Sequence, residues 1–243
     1  MGDVVGRQVV LEALRSGREI NKILVAKGPR QGSIREILAI AKEQGIVVQE
    51  VERSILDKLS EGANHQGVLA QMSGVSYVEL EDLLSRQGKS DWAPFLILLD
   101  GIQDPHNLGS ILRSGEAMGI DGVIIPKRRA VPVTQTVMKA SAGAANYVPV
   151  CRVGNVATTI DILKKAGYWI VGADMAGDSC FSQDLTGPIA LVIGSEGSGL
   201  SRLVKEKCDF LSSVPMRGAI NSLNASVAAA LLMFEVLRQR SLS

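Results

Sequence analysis

The 243-residue chain is poor in aromatics, in histidine and in net charge. Trp, Tyr and Phe make up 4% of it, so a core must be built from Leu, Ile, Val and Ala. There are two histidines, His65 and His106, and three widely spaced cysteines, Cys151, Cys180 and Cys208. No CxxC pair occurs, which argues against a zinc site or a disulfide framework and for three small reduced core residues. Lys and Arg total 26 against 25 Asp and Glu, a formal net charge of +1. That balance gives no global field for nucleic acid, so any RNA or DNA contact would need local basic patches. No apolar run approaches the ~20 residues needed to cross a bilayer, and the first residues do not resemble a secretory leader. The expectation is a soluble cytoplasmic protein.

What is present is a full apolar complement, 46% of the chain. Through residue 72 helical and strand patterns alternate. Val9, Val10, Ala13 and Leu14 recur at helical spacing, as do Ile34, Ile37, Leu38 and Ala41. Ile23–Ala26, Ile46–Val48 and Val68–Ala70 are short strand-like runs. This predicts a small α/β unit over 1–72. Residues 73–93 are acidic-leaning and punctuated by Gly and Ser, which predicts a linker with one short helix over 79–86.

From Pro94 the runs lengthen and become apolar throughout: Phe95–Leu99, Gly122–Ile125, Tyr168–Ala173, Ile189–Ile193 and Leu211–Val214. Such runs fit parallel strands covered on both faces. Helical stretches over 108–118, 134–141, 156–166 and 199–207, and a last helix over 224–238, complete a doubly wound α/β pattern.

Three of these strands end in polar, glycine-bearing turns. The first reads Asp104-Pro105-His106-Asn107-Leu108-Gly109, with Asn107 at the expected N-cap and Arg113 off the apolar stripe of the helix. A glycine early in a helix costs about 1 kcal/mol against Ala, so Gly109 and Gly115 predict close packing. The second is Gly194-Ser195-Glu196-Gly197-Ser198-Gly199. It lacks the Lys of a Walker loop, and its glycines fall in the reverse of the dinucleotide spacing. Glu196 has no carboxylate partner nearby in sequence and reads as a scaffold or substrate contact. The third is Pro215-Met216-Arg217-Gly218, then Ser222-Leu223-Asn224-Ala225-Ser226, where Ser222 or Asn224 caps the last helix. Ligands of open α/β sheets bind at the carboxyl ends of strands, so the three turns predict one composite site.

Together the three segments resemble the SpoU (TrmH) family of RNA ribose 2′-O-methyltransferases, over about residues 94–243. Residues 1–72 are similar to the small L30e-like substrate-binding domain of some members, Asn64-His65-Gln66-Gly67 included. The layout is most similar to the 23S rRNA guanosine subfamily. The resemblance implies a deep C-terminal trefoil knot, S-adenosylmethionine as methyl donor, and a homodimer with each active site near the subunit interface; no metal is expected, as the histidines and cysteines already argue. It implies a cofactor site at Ile193, Gly194, Val214, Met216 and Leu223, and a catalytic set of Arg113, Asn107, Glu196, Ser222 and Asn224. Lys127, Arg128, Arg129 and Lys139 are the expected RNA contacts, with Arg7, Lys22, Lys27 and Arg30 on the first unit. Alternatives are an adenosine (resistance-type) or tRNA methyltransferase, a non-catalytic RNA-binding protein, and a nucleotide-dependent enzyme using the 194–199 loop.

Overall fold

The computed structural model describes residues 3–28, 32–85, 92–219 and 222–242. Expectations for Arg30 and for 86–91 lie outside these residues. The chain divides into two compact units, 1–76 with 133–135, and 77–132 with 136–243.

The first unit runs β1 (Val4–Val5), α1 (Arg7–Arg15), β2 (Ile20–Ala26), α2 (Ser33–Glu43), β3 (Val47–Val51), α3 (Arg53–Leu59) and β4 (Val68–Met72). Its strands form a mixed sheet in the order β1-β4-β2-β3, with β2–β3 parallel and β4 antiparallel to both β1 and β2. Side chains alternate across the sheet. Ile23, Val25, Val68 and Ala70 face Val10 and Leu14 of α1 and Ile37 of α2, whereas Leu24, Val51 and Leu69 face Leu56 of α3. His65 is buried; its Nδ1 accepts the Gly67 N–H at 2.9 Å and its Nε2 faces Asp57 Oδ1 at 2.9 Å. The 64–67 motif is thus a turn locked by its own histidine.

The second unit runs α4 (Leu80–Leu84), β5 (Phe95–Asp100), α5 (Pro105–Ala117), β6 (Gly122–Pro126), α6 (Gln135–Ala140), β7 (Val150–Val153), α7 (Val156–Lys165), β8 (Trp169–Ser179), β9 (Ile189–Gly194), α8 (Arg202–Lys207), β10 (Phe210–Ser213) and α9 (Ala225–Arg240). Among the described residues its six strands are all parallel, in the order β10-β8-β9-β5-β6-β7. Leu96, Leu98, Ala190 and Val192 pack against Leu83 of α4, Ile160 and Leu163 of α7, and Val204 of α8. On the other layer α5 packs against α9, and α9 against β8 and β9. Helices thus cover both faces, which is why the strands are apolar throughout.

Residues 77–84, placed by sequence in a linker, belong to the second unit: Val78 bridges to Cys151, and Leu80 and Leu83 are core residues. The edge strand β7 follows Pro149 in a run too short to stand out. At the C-terminus Arg240 ties α9 to the strand starts. Its guanidinium donates to the carbonyls of Ala93 at 2.6 Å and Gly187 at 2.7 Å, and lies 5.3 Å from the Phe95 ring centre.

Candidate active site

Because all six strands run the same way, their carboxyl ends share one edge of the sheet. β5 ends at Asp100, β6 at Pro126 and β9 at Gly194. A cavity of about 670 Å³ opens there. Its wall takes Ile193 to Gly199 from the β9 turn, Ser212, Ser213, Val214 and Met216 from the end of β10, and Ser222 to Ala225 from the entry to α9.

The turns are held to one another by short polar links. Ser195 and Gly199 exchange backbone hydrogen bonds of 3.1 and 2.9 Å, closing the glycine loop on itself. Gly194 must lack a side chain, since a Cβ there would lie 2.2 Å from the carbonyl carbon of Gly199. Asp100 Oδ2 accepts the Ser201 N–H at 2.7 Å, tying the end of β5 to the far side of the loop.

At the cavity, Asn107, Glu196 and Asn224 form one cluster. Asn107 Nδ2 donates to Glu196 Oε1 at 3.1 Å. Asn224 Nδ2 donates to Asn107 Oδ1 at 2.9 Å and also to Glu196 Oε1. Asn224 Oδ1 accepts the Ser226 and Val227 N–H groups at 2.9 and 3.2 Å, capping α9. Asn107 is buried. It is not the cap of α5: Asp104 is, accepting the His106 N–H at 3.1 Å, with Pro105 in the first turn. An Asp-Pro pair sets the helix start three residues earlier than Asn107, which frees the Asn107 side chain for the cluster.

All five expected cofactor positions, Ile193, Gly194, Val214, Met216 and Leu223, line the cavity, as do Glu196, Ser222 and Asn224. Arg113 does not. It is exposed, makes no hydrogen bond or ion pair among the described residues, and lies about 9 Å along α5 from Asn107 on another face of the helix. His106 is exposed. Lys127, Arg128, Arg129 and Lys139 are exposed outside the cavity. The first three follow β6 at the same sheet edge, and Arg129 holds φ +59°, a strained angle for a residue with a side chain.

The cavity suits S-adenosylmethionine. A pocket of several hundred Å³ holds a nucleoside-sized ligand. Among its described lining residues the ionisable side chains are Asp174 and Glu196, both acidic, so nothing there repels a sulfonium. Ser212 Oγ, buried in the wall, has no hydrogen-bond partner among the described residues, which leaves a polar group for a ligand to satisfy. Sequence reasoning missed Asp174 and Ser212, whose neighbours in the chain carry no glycine-rich turn.

All three cysteines are free thiols. Burial pushes Cys151 up to about 12 and Cys208 up to about 11, so neither is a thiolate near neutrality. No group of three or more metal-capable side chains occurs among the described residues, and no helix there is long and apolar enough to cross a membrane.

Comparison with known proteins places the same segments in one family. The SpoU rRNA methylase family model matches residues 94–234, and the model for the RNA 2′-O ribose methyltransferase substrate-binding domain matches residues 4–78. A proposed TrmH family tRNA/rRNA methyltransferase of Staphylococcus saprophyticus is 51% identical, over 98% of this chain and 96% of its own. YacO of Bacillus subtilis, also a proposed TrmH family tRNA/rRNA methyltransferase, is 48% identical over the same shares of both chains. Among solved structures, the SpoU methyltransferase AviRb from Streptomyces viridochromogenes, in complex with AdoMet, superposes with a TM-score of 0.62 at 27% identity. That match covers 99% of this chain and 91% of AviRb.

Proposed function

Because the chain belongs to the SpoU (TrmH) family and is an S-adenosylmethionine-dependent RNA 2′-O-ribose methyltransferase, we propose that it methylates a guanosine ribose of 23S rRNA as a homodimer. The observation that carries the site assignment is the cluster of Asn107, Glu196 and Asn224 at the mouth of the cavity. In this reading Ile193, Gly194, Val214, Met216 and Leu223 hold the cofactor, largely through backbone groups. The knot belongs to the same reading: the segments that would form it, 194–199 and 214–224, are those that wall the cavity.

The cofactor supplies a methyl group on a sulfonium, whose thioether leaves without acid assistance. The demanding partner is the ribose 2′-hydroxyl, a very weak acid that must lose its proton as it attacks. Arginine side chains keep their charge in proteins, so the proton passes to solvent water beside the attacking oxygen and not to Arg113. Arg113 binds the adjacent RNA phosphate, lowers the effective pKa of the hydroxyl and orients it toward the methyl group. Asn107, Glu196, Ser222 and Asn224 position the ribose and the arginine.

Arg113 lies outside the cavity of its own chain, which favours a site completed in the dimer. Helix α9 supports this: it buries Ala229, Leu232, Met233 and Val236 inward and exposes Val227, Leu231 and Phe234 on one outward stripe, beside α5. The first unit then receives the RNA substrate. Lys127, Arg128, Arg129 and Lys139 contact its backbone.

Mapping ribose methylation across rRNA and tRNA in a strain lacking the protein tests the target. Loss of one 23S guanosine methyl group supports the reading, and loss of a tRNA or adenosine methyl group replaces it. In vitro, Arg113→Ala abolishes methyl transfer while cofactor affinity stays within about twofold. Parallel loss of both would refute the division of labour.

A further inference from the structure

One wall of the cavity is made by an interruption in β8. In parallel pairing with β10, Val171 and Gly172 face Phe210 and Leu211, and then Asp178 and Ser179 face Ser212 and Ser213. One step along β10 therefore spans six along β8, and residues 173–177 leave the ladder. Gly177 brings the strand back against β10. A Cβ there would lie 2.4 Å from the carbonyl carbon of Leu211 and 2.7 Å from Ser212 N. The excursion presents Ala173, Asp174 and Met175 to the cavity. Irregularities of this kind re-aim side chains at sites.

Asp174 is fixed from two sides. One oxygen, Oδ1, accepts the Ala176 N–H at 2.9 Å, and the other, Oδ2, lies 2.7 Å from Lys205 Nζ, with the side chain 18% exposed. Burial by itself would raise its pKa. The hydrogen bonds from Lys205 and Ala176, with the charge of Lys205, outweigh burial and hold the carboxyl below its ordinary value. The cavity wall therefore carries an ionised carboxylate on β8, across β9 from the β5 side where Glu196 meets Asn107. The two acids line one cavity, from β8 and from the turn after the neighbouring strand β9.

A carboxylate offers about four lone-pair sites, of which Asp174 uses two. Its charge is already matched by Lys205. Acceptor capacity without uncompensated charge suits a pair of neutral hydroxyl donors better than an ammonium group. We propose that Asp174 is a cofactor-binding residue whose carboxylate accepts hydrogen bonds from the vicinal ribose hydroxyls of the adenosyl group. The inference rests on the cavity being the cofactor site.

Calorimetric titration tests it with three ligands: S-adenosylhomocysteine, its 2′-deoxyribose analogue, and methylthioadenosine, which lacks the amino-acid end. The unsubstituted protein binds the deoxy analogue about tenfold more weakly than the parent, the size expected for one hydrogen bond to a charged group. Asp174→Ala removes that difference and weakens S-adenosylhomocysteine and methylthioadenosine alike. Asp174→Asn, which keeps the shape and one acceptor, gives an intermediate difference and stands in should the alanine variant not fold. A deoxy penalty unchanged in both variants overturns the proposal. So does a loss seen with S-adenosylhomocysteine but not with methylthioadenosine, since that would assign Asp174 to the amino-acid end. Ala228→Trp fills the cavity and abolishes binding of all three ligands. Binding that survives it sinks the cavity assignment itself, a failure distinct from that of Asp174.

Discussion

Asn107 Nδ2 lies 3.1 Å from Glu196 Oε1, although 89 residues separate them. The bond joins the start of α5 to the loop after β9, and Asn224 adds the start of α9 to the same oxygen. The cluster therefore fixes the relative positions of three turns that share no sequence neighbourhood.

That link has a measurable coupling. Asn107→Ala and Glu196→Ala, made singly and together, give a stability interaction of about 1–2 kcal/mol by urea titration. Additivity within about 0.3 kcal/mol would mean that the two residues do not act as a unit.

Gly109 packs α5 closely against the end of α6. A Cβ there would lie 2.4 Å from the Ala140 Cβ and 3.0 Å from the Ser141 backbone nitrogen. Gly109→Ala gains about 1 kcal/mol of helix propensity and loses more to the clash, for a net destabilisation of about 1–3 kcal/mol. Ala140→Gly restores part of it. The urea midpoint at constant m-value reads both effects.

Glu235 is buried on α9 and accepts hydrogen bonds of 2.7 and 2.8 Å from Arg238, with Gln239 donating at 2.8 Å. The Arg238 bonds lower its pKa below the ordinary 4.5, against the opposing effect of burial. A depressed folded pKa contributes stability that is present above the unfolded value and lost as pH falls through the folded one. Glu235→Gln is therefore less stable than the parent at pH 7, and the gap narrows as pH falls below about 4.5. A denaturation series from pH 7 to pH 3 checks this.

The basic loop after β6 predicts a salt effect. Replacing Lys127, Arg128 and Arg129 with Ala weakens RNA binding and flattens the slope of log affinity against log salt by about 1 for each phosphate no longer neutralised. An unchanged slope removes this loop from the RNA interface.

The second sheet was legible because its strands are buried on both faces. Phe95–Leu99 and Ile189–Ile193 announce themselves by being apolar at every position. The three turns were legible from their glycines and amides. The start of α5 was misplaced because Asn107 is itself a good cap, and only the side-chain bond of Asp104 to His106 N–H decides between them. Asp174 was invisible because the chain around it reads as uninterrupted strand. Its meaning comes from the register jump against β10, a relation between segments some 35 residues apart. The place of Arg113 outside the cavity was likewise beyond a pattern that records helix stripes but not which loop closes over them.

The order of strands in the second unit also bears on how the chain matures as it is made. β9 lies between β5 and β8, so β5 keeps one flank unpaired until residues 189–194 have emerged. Through about a hundred residues of synthesis its backbone offers an apolar template to any passing strand, the feature that drives edge-to-edge aggregation. A nascent chain stalled before Ile189 should need a chaperone far more than one stalled after Gly194.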